Sequence, residues 1–489
     1  MKCRLSMRCV TFIWTTLSIL FILLCSTPAE SQTAGHDVSI MKKATLEECI
    51  QTALKNNRLR PASQYAVKMA EAQYRQALAG YWPQINLRGG YQKMDEYYNF
   101  DFPASDIQIP MGGSLDVTIP GVGTVPISSF SIPVQDVKLM DDEIYQAEVE
   151  AKWLLYDGGM RKGYREQTEN HIKIMNQESR RTDLEIVDSV RRYYYGAVLA
   201  AKLYQLGEDT LARMEATLDL TEIMYKEGSG RVKKTDFLDN KVMVETLRAM
   251  VALLEKNKLM SRAALANTMG MSWDAVIEPS DTELPHVAFN DGLDKLVANA
   301  YRFNPDWEKV KAGLLAAEGA VRTEKSGYFP KLALTGSLYK YWNDYEAGLV
   351  TDQNEDGWTI GVGIEIPLFN GFLTKNKVDE ARARVNKIKE ERILLKEGIG
   401  LQVKDTFLAL NAAQKAYQAT LDAMTSAVES RDLNTRAYQN DLVDTEDVIK
   451  AQLMEALMSA QHYKTCYDHI ALMSHLNLIV GTEVLNKIE

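Results

Sequence analysis

The chain has 489 residues, of which 25% are charged and 46% are hydrophobic, and its formal net charge is −10. This acidic balance excludes a nucleic-acid-binding protein, which would need a strongly basic face. With only 13 prolines and much alanine, leucine, glutamate and lysine, the composition favours long helices over a compact globular domain.

The N-terminus has the pattern of a signal peptide. Basic residues at positions 2, 4 and 8 precede an apolar run over 10–24, and small residues follow near 27–31. We therefore expect residues 1–29 to be removed and the protein to be exported. Acylation of Cys25 is the alternative, although Leu24 stands where a lipoprotein signal usually has a small residue.

The remaining chain contains an internal two-fold repeat. The phrase GYWPQINLRGGY at 80–91 returns as GYFPKLALTGSL at 327–338, an offset of 247 residues. Further along, corresponding segments are 213 residues apart, and beyond Tyr225 and Tyr438 they are 211 apart. Such a pattern predicts a duplicated structural unit. The first unit covers 30–270 and the second 293–481, with a linker at 271–292 and a C-terminal tail at 482–489.

Each unit is predicted to contain a helix, a β-hairpin and long coiled-coil helices. The hairpins cover 83–156 and 330–369, and each begins at a proline, which cannot continue the preceding helix because it lacks an N–H group. After the second hairpin, apolar residues follow a 3-4 spacing that predicts a helix over 372–438, roughly 100 Å long. The extra residues at 99–142 are expected to form a long loop of the first hairpin.

The predicted strands alternate with a period of two, so each has one apolar and one polar face. Glu148, Glu150 and Glu365 lie on the polar faces, and aromatic residues collect where strands meet helices, as in the girdle of a membrane barrel. No later stretch is apolar enough for a membrane helix, so strands would have to make any contact with a membrane. Four strands cannot close a barrel, so several chains would have to combine theirs. Half of a soluble β-sandwich is the alternative.

Only two cysteines, Cys49 and Cys466, follow the signal peptide. Counting helical rises from the strand corners puts them at heights that differ by roughly 10 Å, beyond the reach of a disulfide. We therefore expect both thiols to be free.

Taken together, these features resemble the TolC-like outer-membrane efflux proteins, also called outer membrane factors. The motifs that carry the resemblance are the duplicated unit, YWP and YFP at the helix-to-strand corners, LYDGG and LFNGF at the strand-to-helix corners, and YQNDLVDTEDVIKA from Tyr438. The resemblance implies a mixed α and β fold. A trimer would form a 12-stranded membrane β-barrel, four strands per chain, continued by a long periplasmic α-helical barrel of coiled coils. The linker 271–292 would belong to a belt around its middle.

The resemblance also implies a function. The protein would be a passive exit channel in the cell outer membrane, serving a tripartite efflux pump or a type I secretion system. Its partners would be a periplasmic adaptor protein and an inner-membrane transporter, with no nucleic acid and no cofactor. We find no Ser/His/Asp set and no zinc-protease motif, so no enzyme is predicted. A soluble exported coiled-coil protein with a structural or adaptor role is the alternative.

The resemblance implies a gate at the periplasmic tip, where the two helical turns have opposite charge. The candidate gate residues are Tyr225, Arg231, Lys233, Lys234, Asp236, Tyr438, Asp441, Asp444 and Asp447. Asp441 and Val443 depart from the family pattern, in which Gly and Arg are usual. Solvated turns whose charges have no role are the alternative, because exposed ion pairs contribute little.

Two further groups of charged or metal-binding residues were considered. In a trimer, Glu148, Glu150 and Glu365 would place nine carboxylates in the barrel lumen and favour cations. His462, Cys466 and His469 lie on one helix face and are ligand types for zinc or Cu(I). However, three ligands from one straight helix rarely converge on a tetrahedral ion, so we predict packing there and no metal site.

Overall fold

The computed structural model describes residues 43–96, 98–108, 115–119, 123–127, 129–140, 142–228, 232–342, 356–440 and 442–481. The signal peptide, the tail 482–489 and two of the predicted gate residues, Arg231 and Asp441, lie outside this part of the chain.

The first half of the described chain combines short and long helices with two long strands. In chain order, its elements are α1 (Leu46–Asn56), α2 (Leu59–Ala79), β1 (Gln84–Lys93), β2 (Tyr98–Phe102), β3 (Ser105–Gln108), β4 (Leu115–Ile119), β5 (Gly123–Ile127), β6 (Ser129–Ile132), β7 (Gln135–Met140), β8 (Glu143–Tyr156), α3 (Met160–Lys226) and α4 (Lys234–Thr268).

The second half has a similar order of elements without the short strands. It contains α5 (Leu293–Phe303), α6 (Pro305–Lys325), a 3-10 turn (Ser326–Tyr328), β9 (Lys331–Trp342), β10 (Asp356–Glu365), α7 (Leu373–Gln439) and α8 (Thr445–Val480). Both α3 and α7 have 67 residues, so each is roughly 100 Å long. Within the described residues, none of the helices has the length and apolarity needed to cross a bilayer.

The segment expected to be a loop of the first hairpin contains strands in its described part. β2 pairs with β7, β3 with β6 and β4 with β5, all antiparallel. Pro103 and Pro133 stand at the break between the first two pairs, where no backbone N–H is needed for a ladder. The described part of the expected loop is therefore a series of short hairpin strands, with Pro103 and Pro133 between two of the pairs.

The four long strands form one antiparallel sheet in the order β1-β8-β9-β10. Its register pairs Leu87 with Val149, Val149 with Leu338, and Leu338 with Trp358, so an apolar row crosses one face. The neighbouring row on the opposite face pairs Arg88 with Glu148. Leu87 and Trp358 are 76% and 68% exposed in the single chain, so this apolar face is uncovered. The two-faced strands predicted from the alternation are confirmed.

Each half contains the same joint between a short helix and the end of a long one. Asn57 Nδ2 donates to Thr268 O at 2.8 Å, and Asn304 Nδ2 donates to Ile479 O at 2.7 Å. Helices α4 and α8 end beside Gly270 and Gly481, whose φ values are +74° and +72°. A Cβ on either glycine would lie within 2.5 Å of the carbonyl oxygen of the short helix opposite, so only glycine fits.

Two buried clusters lie near the middle of the long helices. One joins α1, α3, the end of α4 and the linker, and the other joins α5, α7, the end of α8 and Phe289. The segment before α1 also binds the linker, because Ala44 N donates to Glu278 O at 2.9 Å and Ser280 N donates to Ala44 O at 2.8 Å. The linker is therefore held at several points, with Ala275, Ile277 and Phe289 buried in these clusters.

The helices are neighbours in a fixed lateral order. Near the sheet the order is α2, α3, α6, α7, and toward the far turns it is α4, α3, α8, α7. The long helices α3 and α7 run through both layers, while the others end near the middle. Among the described residues, α2 and α4 pack mainly against α3, and α7 packs against α5, α6 and α8, so each of the three leaves one side without a helix in this part of the chain.

We expect both cysteines of the processed protein to be free and unreactive in the native state. Cys49 and Cys466 are buried and unpaired, and burial raises the pKa of the Cys49 thiol to about 12 and that of Cys466 to about 11. A thiol is attacked only through its thiolate, which is scarce at neutral pH under these conditions. A maleimide should label both after denaturation without reductant, and a requirement for reductant would contradict the structure.

Candidate functional site

The turns that join α3 to α4 and α7 to α8 lie together at the end of the helices far from the sheet. Tyr438 on α7 is only 5% exposed, and its hydroxyl lies 3.1 Å from Thr221 Oγ1 on α3 and 3.0 Å from Thr445 Oγ1 on α8. Asn240 on α4 donates Nδ2 to the same Thr221 oxygen at 3.3 Å. Hydrogen bonds around one tyrosine thus connect four helices.

Two more polar contacts link α3 and α8 further from the tip. Gln452 Nε2 donates to Thr217 Oγ1 at 3.0 Å. Beyond it, Glu455 is 5% exposed and lies 2.8 Å from Arg213 Nη2 and 3.5 Å from Nη1 of Arg431 on α7. A buried carboxylate is costly unless it is paired, so removing either partner would be strongly destabilising. We call the contacts around Tyr438, Gln452 and Glu455 the tip network.

Other predicted gate residues have local structural roles. Asp236 accepts the backbone N–H of Lys233 through Oδ2 at 2.9 Å, which caps the start of α4. Tyr225 corresponds to Tyr438 in the repeat, but it is 38% exposed and stacks on Phe237 with ring centroids 6.1 Å apart. Corresponding tyrosines therefore differ in environment, and only the second belongs to the tip network.

The charged turns form an open groove of about 810 Å³. Lys233 lies on one side, and Asp444 and Asp447 lie on the other, while Lys234 is the first residue of α4. The groove is also lined by the carboxylates of Asp236, Asp239 and Glu446. In the part of the chain that the structure describes, no ion pair joins the two turns. The groove is therefore mainly acidic.

The sequence interpretation missed most of the tip network. Thr217 and Thr221 are four residues apart on α3, and Gln452 and Glu455 are three apart on α8. The sequence feature that could have identified these residues is a polar side chain at each position where a coiled-coil seam normally has an apolar one. The contacts between the two halves join residues more than 200 positions apart in the chain, as with the 217 residues between Thr221 and Tyr438.

The predicted lumen residues share their sheet face with basic residues. Arg88 lies opposite Glu148 in the register, and its Nη2 is 2.8 Å from Oε2 of Glu150. Glu365 lies opposite Lys331. The basic residues of this face are Arg88, Lys152 and Lys331, which balance the three carboxylates. The cation-favouring field inferred from the carboxylates alone is therefore not expected.

His462, Cys466 and His469 are joined by a histidine of the linker. The ring of His286 stacks on Tyr417 of α7 with centroids 3.7 Å apart, and it lies 4.9 Å from the ring of His469. Cys466 Sγ lies 3.7 Å from Nε2 of His462. The described residues contain no group of three or more His, Cys, Asp or Glu able to hold a metal ion. These side chains pack the linker onto α7 and α8.

Burial keeps these histidines neutral. His469 is 1% exposed, and burial, with a smaller effect of the neighbouring His286, lowers its pKa to about 4. Burial also lowers the pKa of His286, and burial followed by the charge of His286 lowers that of His462. Nε2 of His469 and Nδ1 of His286 are buried without a hydrogen-bond partner among the described residues. A proton added here would have no counter-charge beside it.

Comparison with known proteins shows relatives along most of the chain. A profile of the outer membrane efflux protein family matches residues 49–271 and 296–464. Protein CyaE of Bordetella pertussis is 23% identical over 273 residues, so the match spans 55% of this chain and about half, 56%, of that protein. The probable efflux pump outer membrane protein TtgC of Pseudomonas putida is 21% identical over 448 residues, covering 89% of this chain and 83% of TtgC.

The fold is also similar to that of solved structures. A membrane protein from Pseudomonas aeruginosa superposes with a TM-score of 0.71 at 17% identity, covering 91% of this chain and 94% of that one. The similarity covers the sheet and the helices together.

Acid should weaken the packing of the linker, because the folded state disfavours protonated His469. The pKa of histidine is near 6.5 in an unfolded chain, so the unfolded state binds more protons, and stability is lost as pH falls from about 6.5 to 4. This residue alone would remove about 2 kcal/mol at about pH 5. In His469→Phe, the melting temperature of the detergent-solubilised protein should fall less on acidification.

The matched control is His475→Phe, at an exposed histidine of the same helix. It should keep the acid sensitivity of the unmodified protein. Equal acid sensitivity in all three proteins would contradict the assignment to His469.

Proposed function

This chain belongs to the outer membrane efflux protein family, and we propose that three copies of it form the exit channel of a tripartite efflux pump. The protein is an outer-membrane efflux protein, and its relatives are channel proteins rather than enzymes. Efflux is favoured over protein secretion because TtgC, a relative matched over most of its length, is named as a probable efflux pump protein.

The uncovered apolar face of the four-stranded sheet is the observation that carries the proposal. Leu87, Leu338 and Trp358 are each at least 60% exposed, and they lie in one row across the sheet. A face of this kind is stable against lipid but not against water. Trp153 Nε1 donates to Tyr81 O at 3.0 Å at the helix-to-strand corner, where an aromatic girdle would meet the lipid headgroups. Three sheets would supply the twelve strands of a closed barrel.

The long helices would continue this barrel into the periplasm. Because α3 and α7 are roughly 100 Å long, their far turns would lie far from the outer membrane, where a periplasmic adaptor protein could join them to an inner-membrane transporter. The two equivalent helix joints at Gly270 and Gly481 support duplication of one unit, 30–270 and 293–481. The linker 271–292 would form part of a belt around the helical barrel.

The tip network would hold the periplasmic end closed. It joins both helical pairs of one chain, α3 with α4 and α7 with α8, at the level where three chains would converge. Opening requires these pairs to separate, and the network opposes that separation. The charged turns, including Arg231 and Asp441, would line the entrance around it.

Cell fractionation tests the channel assignment. The protein should be found in the outer membrane, and detergent should release it as a trimer, because its apolar sheet face needs lipid or detergent. High salt should not release it. Recovery of a monomer from the salt-washed periplasmic fraction would support the alternative, a soluble exported coiled-coil protein.

Tyr438→Phe should make the channel leak. It removes the hydroxyl that contacts Thr221 and Thr445, about 1 kcal/mol per net hydrogen bond in each of three chains. Since about 1.4 kcal/mol changes an equilibrium tenfold, the open fraction should rise roughly tenfold or more. The measurements are single-channel open probability in planar bilayers and vancomycin sensitivity of cells.

Tyr225→Phe provides the matched control, since this tyrosine occupies the corresponding position outside the tip network. It should leave the open probability unchanged. Changing Asp444 and Asp447 to lysine tests whether the charged turns, rather than the tip network, hold the tip closed. If the reversal opens the channel and Tyr438→Phe does not, the charged turns close the tip and the tip network does not.

A further inference from the structure

Corresponding helices of the two halves differ in burial. The 21-residue helices α2 and α6 correspond at an offset of 247 residues, but α6 buries five residues and α2 buries one, Ala70. The buried residues of α6 are Pro305, Ala312, Ala317, Gly319 and Thr323. The reason is that α6 lies between α3 and α7, whereas α2, among the described residues, packs against α3 on one side.

Because α2 corresponds to α6, the contacts between α3 and α6 indicate which contacts the free side of α2 can make. Arg322 Nε on α6 lies 3.2 Å from Glu166 Oε2 on α3. Near the other end of α6, Arg181 Nη1 lies 2.5 Å from Asp306 Oδ2. Between Arg322 and Glu166 the backbones are close, since a Cβ on Gly163 would lie 2.7 Å from Gly319 O.

The repeat gives each of these pairs a counterpart, with α7 in place of α3 and α2 in place of α6. At offsets of 213 and 247 residues, the pair Glu166–Arg322 corresponds to Asp379 and Arg75, which also have opposite charges. The pair Arg181–Asp306 corresponds to Leu394 and Leu59. The pair Gly163–Gly319 corresponds to Asn376 and Ala72.

These counterparts are available for contact. Leu59 and Leu394 are 62% and 70% exposed in the single chain. Arg75 is exposed and has no ion-pair partner among the described residues, and Asp379 has only a long contact of 3.4 Å to Arg382 on its own helix. The ion pair Glu166–Arg322 thus has two oppositely charged side chains as its counterpart. The ion pair Arg181–Asp306 has two exposed leucines. Both combinations are complementary.

We propose that the free face of α2, around Ala72 and Arg75, binds the free face of α7 in a second copy of this chain, with Arg75 against Asp379 and Leu59 against Leu394. The proposal rests on the trimer described above and adds the register of its subunit interface. The wall of helices is incomplete without this contact, because α2 and α7 are the two ends of the row α2, α3, α6, α7.

Cysteine crosslinking in the full-length protein tests the register. The variant Ala72→Cys with Asn376→Cys should form disulfide-linked dimers and trimers in isolated outer membranes under mild oxidation, because the corresponding backbones approach closely at Gly163 and Gly319. Native Cys49 and Cys466 are buried and should not contribute. Each single variant, and Ala72→Cys with Leu401→Cys, should remain unlinked, since Leu401 lies 25 residues further along α7, roughly 37 Å away.

Charge reversal gives a second, independent measurement. Arg75→Glu and Asp379→Lys should each lower the ratio of trimer to monomer in detergent about threefold, and the double variant should restore it. Gln73→Glu, at an exposed residue two positions from Arg75 and therefore on another face of α2, should have no effect. A detergent-extracted trimer without the Ala72–Asn376 crosslink would overturn the register and leave the channel assignment intact. A protein that is monomeric and free of the membrane would overturn both.

Discussion

The unpaired edges of the four-stranded sheet constrain the whole molecule. Among the residues that the structure describes, β1 and β10 are the edge strands, so each has a row of backbone donors and acceptors without a strand beside it, and lipid offers no partners. Each of the four strands continues into one helix, so the strand order β1-β8-β9-β10 fixes the helix order α2, α3, α6, α7. Closing the sheet by pairing β10 with β1 of another copy therefore also brings α7 beside α2 of that copy. One requirement in the membrane thus sets neighbours throughout the periplasmic part.

The corners between strands and helices transmit this order. After β8, Arg161 donates Nη1 to Leu154 O at 2.6 Å and to Gly80 O at 3.2 Å, while its Nε lies 2.8 Å from Asp157 Oδ2. One half-buried arginine thus joins the end of α2, the last strand residues and the first turn of α3. In the second half, Asn370 and Thr374 make a smaller version of this corner, with Nδ2 donating to Oγ1 at 2.6 Å. The motifs LYDGG and LFNGF therefore determine the geometry of the corners between strand and helix.

The local residue pattern predicted much of this fold, but it could not predict which residues distant in the sequence contact each other. A helix expected over 372–438 is found at Leu373–Gln439, and the alternation of strand residues gave both sheet faces correctly. The balancing role of Lys331 could not be inferred until the register was known. The same holds for His286, a linker residue whose contact with His469 depends on packing. Tyr225 and Tyr438 occupy corresponding positions in the repeat, so the sequence does not distinguish them. The folded structure shows that Tyr225 stacks on Phe237 near the surface, whereas Tyr438 belongs to the buried tip network.

The chemistry of the seam between α3 and α8 changes along its length, and this bears on how a closed tip can open. Near the linker it includes the buried apolar residues Val190 and Ile470, and separating the helices there would expose apolar area at about 25 cal/mol per Å². Toward the tip the seam consists of Thr217, Gln452 and Glu455, whose groups water can solvate once the helices part. The polar part costs much less to open, because hydration replaces its hydrogen bonds at a net loss of about 1 kcal/mol each. In the proposed gating, a seam built this way would hold the upper helices together while the tip separates.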